Sequence, residues 1–199
     1  MDRVRYVIAV ALLVSLPGGI TYWFWVHPFI AFWRRVGLTL TLVVNLGWLV
    51  VLASAVFHWR ASFLRYQFGT NPLLLAIGLP LVVLSVILRR YVARQLTTST
   101  LVGFPEIAPD RFEQRLLTEG IYARIRHPRY VVVFLTVLGF ALIANYLATY
   151  ILTALLTAAL LCVVLLEEKE LRQRFGSEYQ AYARRVPRFL PKVSWKARS

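Results

Sequence analysis

The chain has 199 residues, of which 59% are hydrophobic and only 16% charged, yet its net charge is +14. Soluble domains of this size are about one quarter charged, so a water-solvated globule is excluded and a lipid environment is indicated. The charge excess also admits nucleic acid as a partner, but nothing in the chain resembles a nucleic-acid-binding module, and that class is set aside.

In chain order, the first apolar run, Tyr6 to Val26, is long enough to cross a bilayer, which takes roughly 20 residues. Arg3 and Arg5 precede it as they would a secretory signal, but no small-x-small cleavage site follows, so a retained membrane helix is expected. Further spans are expected over Val36 to Phe57 and Pro72 to Leu88. From Tyr130 to Leu166 the chain is apolar for 37 residues, too long for one span, and the polar pair Asn145-Tyr146 marks the tip of a helical hairpin. The fold class is therefore all-α and integral to the membrane, with five spans. Residues 1–90 carry the first three, and 91–199 form a second region around the hairpin at 130–166.

Between the third and fourth spans, Thr97–Thr100 is a polar run, Pro105 and Pro109 break any helix, and Asp110 with Glu113 predicts a short capped helix to Leu117 ending at Gly120. Beyond the hairpin, Leu171, Phe175, Tyr179, Tyr182 and Val186 recur at helical spacing, opposite Arg172, Arg174, Glu178 and Arg185. This amphipathic helix should lie on the membrane surface or fold back over the first polar segment, with Gly176 marking a kink or a close backbone approach. Cys162, the single cysteine, lies within an apolar run and is expected as a buried, inert thiol.

Nineteen of the 23 Lys and Arg residues fall in the 89–129 loop, in the tail after the fifth span, or at Arg34 and Arg35. Only Arg3, Arg5, Arg60 and Arg65 are left for the other side, so the loop and tail are expected in the cytoplasm, on a face suited to anionic lipid. Three lysines against twenty arginines point to a bacterial source and its cytoplasmic membrane.

Two clusters carry chemistry. In Arg126-His127-Pro128 the proline favours the first turn of a helix and holds His127 at the mouth of span four. Glu167-Glu168 ends span five, where a carboxylate is costly unless paired or functional. Pairing with Arg126 or Arg129 is the plain reading; accepting hydrogen bonds from a ligand is the functional one. Both clusters bracket one hairpin and so share its cytoplasmic end, together with the rings of Tyr122, Tyr130, Phe175 and Tyr179. No metal-ligating set stands out.

"LLTEGIYARIRHPRY", the apolar hairpin and "EEKELRQRFGSEYQAYARRVPRFLP" together resemble the isoprenylcysteine carboxyl methyltransferase and phospholipid methyltransferase superfamily. The likeness covers residues 115 to 191 and departs at Val132, where glycine is common, and at Thr97–Thr100, where a Trp-Ser pair is common. It implies a membrane enzyme that binds S-adenosylmethionine in a cytosol-facing pocket and methylates a lipid or hydrophobic small molecule arriving through the bilayer. By that resemblance Gly120, Ile121, Tyr122, Arg126, His127, Pro128, Tyr130, Glu167 and Tyr179 would contact the cofactor. Glu168 and Arg188 would face the acceptor, and Glu168, Arg126 and His127 would serve catalysis, with Glu168 or His127 taking up the proton of an amine acceptor. Two other readings compete: a sterol-reductase-like enzyme holding the 2′-phosphate of NADPH on Arg172 and Arg174, and a non-catalytic scaffold binding anionic lipid.

Overall fold

The computed structural model describes residues 1–26, 29–95 and 115–192. His27, Thr97–Thr100, Pro105, Pro109, Asp110, Arg111 and Glu113 lie outside the described residues. The helices run α1 (Asp2–Val26), α2 (Ile30–Val36), α3 (Leu38–His58), α4 (Arg60–Phe63), α5 (Pro72–Ala93), a 3-10 turn (Gly120–Ala123), α6 (Pro128–Ala144) and α7 (Leu147–Arg185). Four of them, α1, α3, α5 and α7, are long and apolar enough to cross a membrane, and α6 is a shorter apolar helix. The protein is an all-α integral membrane protein.

Local chemistry explains the helix ends. Asn71 caps α5, its side-chain oxygen accepting the N–H groups of Leu73 and Leu74, and Pro72 fills the first turn, where a missing N–H costs nothing. At the end of α6, Asn145 adopts the left-handed conformation (φ 56°, ψ 52°) that reverses the chain into α7. The hairpin tip thus falls at the expected Asn145-Tyr146 pair. The loop after α4 clamps this tip: Phe68 N–H donates to Asn145 O (3.1 Å), Leu147 N–H to Tyr66 O (3.1 Å), and Asn145 Nδ2 to Gly69 O (2.8 Å).

α1 begins at Asp2, four residues before the expected start, because Arg5 is neutralised within the fold. Its guanidinium is fully buried, donating Nε to Ala144 O (3.0 Å) and Nη1 to Asp2 (2.9 Å) beside the Tyr146 ring. From there α1 runs toward the opposite end of the hairpin. Leu12 packs with Val137, Ala141 and Leu156, and Leu16, Ile20, Val133 and Leu160 extend that cluster.

α5 and α6 approach at two glycines. A Cβ on Gly78 would sit 2.8 Å from Gly139 O, and one on Gly139 would sit 2.9 Å from Gly78 O. Lipid offers no hydrophobic drive between helices, so this backbone contact is what lets them pack tightly. Outward-facing side chains such as Val43, Leu46, Val50, Val83 and Leu155 are exposed to lipid. Cys162 is among the exposed residues, which corrects the expectation of a buried thiol.

α7 has 39 residues, which as a straight rod would measure about 58 Å, nearly twice the hydrocarbon thickness. Its apolar part ends at Leu166 after about 30 Å, so everything from Glu167 onward lies outside the membrane core. At Gly176 the helix breaks (φ 52°, ψ −124°), and a Cβ there would meet nothing within 4 Å. Gly176 therefore serves the kink, not a close approach. Residues 168 and 188 would stand about 30 Å apart along a straight helix; instead Arg188 Nη2 lies 2.8 Å from Glu168 Oε2. The amphipathic segment folds back, and the apolar face expected of one helix is assembled from both arms: Tyr179, Tyr182 and Val186 pack with Leu171, Phe175 and Leu116.

Candidate functional site

The site lies where the entry to α6 meets the folded-back end of α7. Arg126 N–H donates to Pro187 O (2.8 Å) and His127 N–H to Arg188 O (3.0 Å), joining the two polar segments backbone to backbone. Tyr182 OH donates to Tyr122 O (2.7 Å), and Arg126 Nη1 reaches Ala183 O (2.6 Å) and Val186 O (2.8 Å). Pro128 occupies the first turn of α6, leaving His127 at the N-cap in a non-helical backbone conformation (φ −121°, ψ 55°) with its ring beside Tyr130 and Phe189. Proline's constraint on the residue before it produces that placement.

Glu168 is the hub. Fully buried, it accepts from Arg126 Nη2 (2.6 Å), Arg172 Nη2 (3.0 Å), and Arg188 Nε (3.0 Å) and Nη2 (2.8 Å), with His127 Nε2 at 3.2 Å. Burial pushes its carboxyl up, but hydrogen bonds from Arg188 and Arg126, and the Arg126 charge, outweigh that and pull it to about 2. Glu167 sits beside it, its Oε2 3.7 Å from His127 Nδ1. Burial foremost, and then the Glu167 charge, push the Tyr122 phenol upward. Burial and the Glu168 charge push Tyr179 up to about 12. Neither phenol ionises near neutrality.

Among the described residues, three polar atoms here are buried without a hydrogen-bond partner: Arg126 Nε, Glu167 Oε2 and the Tyr179 hydroxyl. An orphaned buried polar atom costs on the order of 1–3 kcal/mol, and three in one cluster call for a ligand or water to satisfy them. One is a guanidinium donor, one a carboxylate acceptor, and one a hydroxyl that can do either. That set fits a ligand bearing amine and hydroxyl groups.

Of the expected residues, the structure brings together Arg126, His127, Glu167, Glu168 and Arg188, with Tyr122 and Tyr179 around them and Tyr130 below. Gly120 and Ile121 lie upstream in the 3-10 turn. Gly120 (φ +58°) opens that turn and does not close a helix, since residues 115–118 are not helical. A Cβ at Gly120 would strike Gln95 Nε2 at 2.6 Å, so this corner abuts the end of α5. The plain pairing of Glu168 with Arg126 is realised, and Arg172 is added to it. Arg172 was legible as an i,i+4 partner of Glu168, and Phe189, against the His127 ring, carried no sequence signal. Arg174 is bound to Glu170. The two arginines expected to hold a 2′-phosphate are thus both engaged by carboxylates of their own helix.

Residues 73–178, more than half of the chain, match the family described as Phospholipid methyltransferase. A Protein-S-isoprenylcysteine O-methyltransferase of Schizosaccharomyces pombe is 35% identical over 79 residues, covering 39% of this chain and 34% of that protein. Cobalt-zinc-cadmium resistance protein CzcN of Cupriavidus metallidurans is 30% identical over 147 residues, 72% of this chain and 60% of that protein. Nickel-cobalt-cadmium resistance protein NccN of Alcaligenes xylosoxydans xylosoxydans is 30% identical over 84 residues, 42% of this chain and 39% of that protein. The matches therefore span between about a third and three fifths of these relatives' lengths. No solved structure matches the chain.

Proposed function

Because the chain belongs to the phospholipid methyltransferase family, whose members are membrane methyltransferases, we propose that it moves a methyl group from S-adenosylmethionine to a lipid or hydrophobic small molecule arriving through the bilayer. One observation carries this reading: two segments some 40 residues apart in sequence close around Glu168 at the membrane boundary, leaving three buried polar atoms unsatisfied. S-adenosylmethionine has the amine, carboxylate and hydroxyl groups that such atoms would take, and when bound it supplies a methyl group on a positively charged sulfur.

In this proposal Glu167 and Tyr179 accept from the cofactor's amine and hydroxyl groups, and Arg126 Nε donates to it. Gly120, Ile121, Tyr122, His127, Pro128 and Tyr130 complete its surroundings. Glu168 and Arg188 face the acceptor. Held near 2, Glu168 stays ionised throughout the physiological range and is a poor proton acceptor. Its part is to fix Arg126, His127 and Arg188 in position, and the uptake of an amine acceptor's proton falls to His127. A carboxylate or thiolate acceptor needs no base. Displacement at an already activated methyl group depends chiefly on alignment, so a cluster this sparse suffices.

The same reading places the site on the cytoplasmic side of a bacterial membrane. Arg34, Arg35, Arg89 and Arg90 lie at the site's end of the bundle, and Arg3, Arg5, Arg60 and Arg65 at the hairpin tip, the partition the positive-inside rule favours.

Titration of the detergent-solubilised protein with S-adenosylhomocysteine and with NADPH tests the proposal. Saturable binding of the former, weakened at least about tenfold by Glu167→Gln through loss of a charged acceptor, is expected. Binding of NADPH alone would reverse the assignment. Lipid profiling with methyl-labelled methionine, in cells with and without the protein, identifies the acceptor.

A further inference from the structure

Gly176 joins the two arms of α7 in a backbone conformation (φ 52°, ψ −124°) open to glycine, and an added Cβ there would meet nothing within 4 Å. Neither a side chain of its own nor a packed neighbour restrains rotation at this residue. Beyond it, residues 177–191 lie across the entry to α6. Pro187 O and Arg188 O accept from the backbone N–H groups of Arg126 and His127, and Ala183 O and Val186 O accept from Arg126 Nη1. The Tyr182 hydroxyl donates to Tyr122 O, and Arg188 donates to Glu168. The apolar contacts of this arm are local: Tyr179, Tyr182 and Val186 rest on Leu116, Leu171 and Phe175, and Phe189 on the Tyr130 cluster. Chain from Glu167 onward lies outside the membrane core, so each polar bond can be exchanged for one to water at small net cost, and no span is disturbed. Segments held in this way open as units of low local stability. Beneath the arm, Arg126 Nε, Glu167 Oε2 and the Tyr179 hydroxyl are shielded from solvent. Tyr179 itself rides on the arm, so lifting it both uncovers the cluster and withdraws one of the cluster's polar groups.

We propose that residues 177–191 are a cover that lifts about Gly176 to admit and release the ligand of the Glu168 cluster, with the Tyr182 hydroxyl as its latch. The inference rests on the reading of that cluster as a cofactor site and adds how the site is reached. Gly176 is the hinge, and the carbonyls of residues 183–188 that accept from Arg126 and His127 are the seal.

The test is hydrogen exchange read by mass spectrometry on the full chain in detergent, first with no ligand. The amides of Arg126 and His127, which donate to the arm, should exchange at least about tenfold faster than amides at the middle of α6. Tyr182→Phe removes the bond to Tyr122 O and should speed that exchange about fivefold, the worth of one net hydrogen bond, without affecting the middle of α6. Arg174→Gln, ahead of the hinge, should not alter it. Exchange of Arg126 and His127 only in step with the middle of α6, or an equal effect of the two variants, would overturn the proposal. Should Tyr182→Phe fail to fold, the comparison within the unmodified protein decides the matter. With S-adenosylhomocysteine added, the binding rate should level off with concentration at the rate of opening, and a rate that climbs past it refutes the cover. Fast exchange of the two amides without any binding of S-adenosylhomocysteine upholds the hinge and overturns the cofactor reading, so the two failures are distinct.

Discussion

Replacing Glu168 with Gln keeps the shape of the side chain and removes the charge on which four side chains converge. The cost follows from how far each partner is desolvated. Arg126 and His127 are 9% and 3% exposed, whereas Arg172 and Arg188 are 50% and 44% exposed. Pairs as open as the last two contribute about 0–1 kcal/mol each, but breaking a buried pair costs about 3–5 kcal/mol because a charge is left in low dielectric. Arg126 keeps its bonds to Ala183 O and Val186 O, which places the loss at the lower end, about 3 kcal/mol. At about 2–4 °C per kcal/mol for a chain of this size, thermal unfolding in detergent, followed by intrinsic fluorescence, should shift down by about 6–12 °C. Arg172→Gln should cost under about 1 kcal/mol. If Glu168→Gln moved the transition no further than Arg172→Gln, the hub would be a solvated surface network and the argument from burial would fail.

Other perturbations isolate other parts of the structure. Glu168 has a folded value near 2 against an ordinary 4.5, so its stabilising share is full above 4.5 and fades as pH falls through about 2. The gap in thermal stability between the native protein and Glu168→Gln should accordingly stay constant from neutrality to 4.5 and narrow only below it, as a pH series of melts would show. Gly139→Leu should destabilise by at least about 1–3 kcal/mol through overpacking against the α5 backbone, read from the same melts, whereas Gly47→Leu, with nothing within 4 Å of the added carbon, should not. Gly176→Ala forces a side chain into a backbone conformation that costs on the order of 1–3 kcal/mol. It should loosen the folded-back arm, raising the rate of limited proteolysis after residue 176 without lowering overall helix content.

The hairpin was legible because a polar pair midway through an apolar run of twice the span length has one physical solution. The approach of the Arg126 and Glu168 segments followed from that hairpin. Arg172 was placed on a polar face opposite the apolar one, and its pairing with Glu168 four positions earlier on the same arm was passed over. A kink at Gly176 was one of two roles open to that glycine, and its positive φ decides between them. Cys162 was misplaced for a different reason: inside a bilayer both core and lipid are apolar, so hydropathy cannot tell which way a side chain points. Nor does any pattern announce the three orphaned polar atoms, which arise from distances between segments.

The buried guanidinium of Arg5 carries a consequence for biogenesis. Its carbonyl partners lie 139 and 140 positions later in the chain, so α1 enters the bilayer with a guanidinium whose hydrogen bonds, apart from the one to Asp2, cannot yet form. Until the closing hairpin arrives, that helix must hold its amino end at the lipid surface or lean on Asp2 alone. The settling of α1 thus waits on the synthesis of the hairpin formed by α6 and α7.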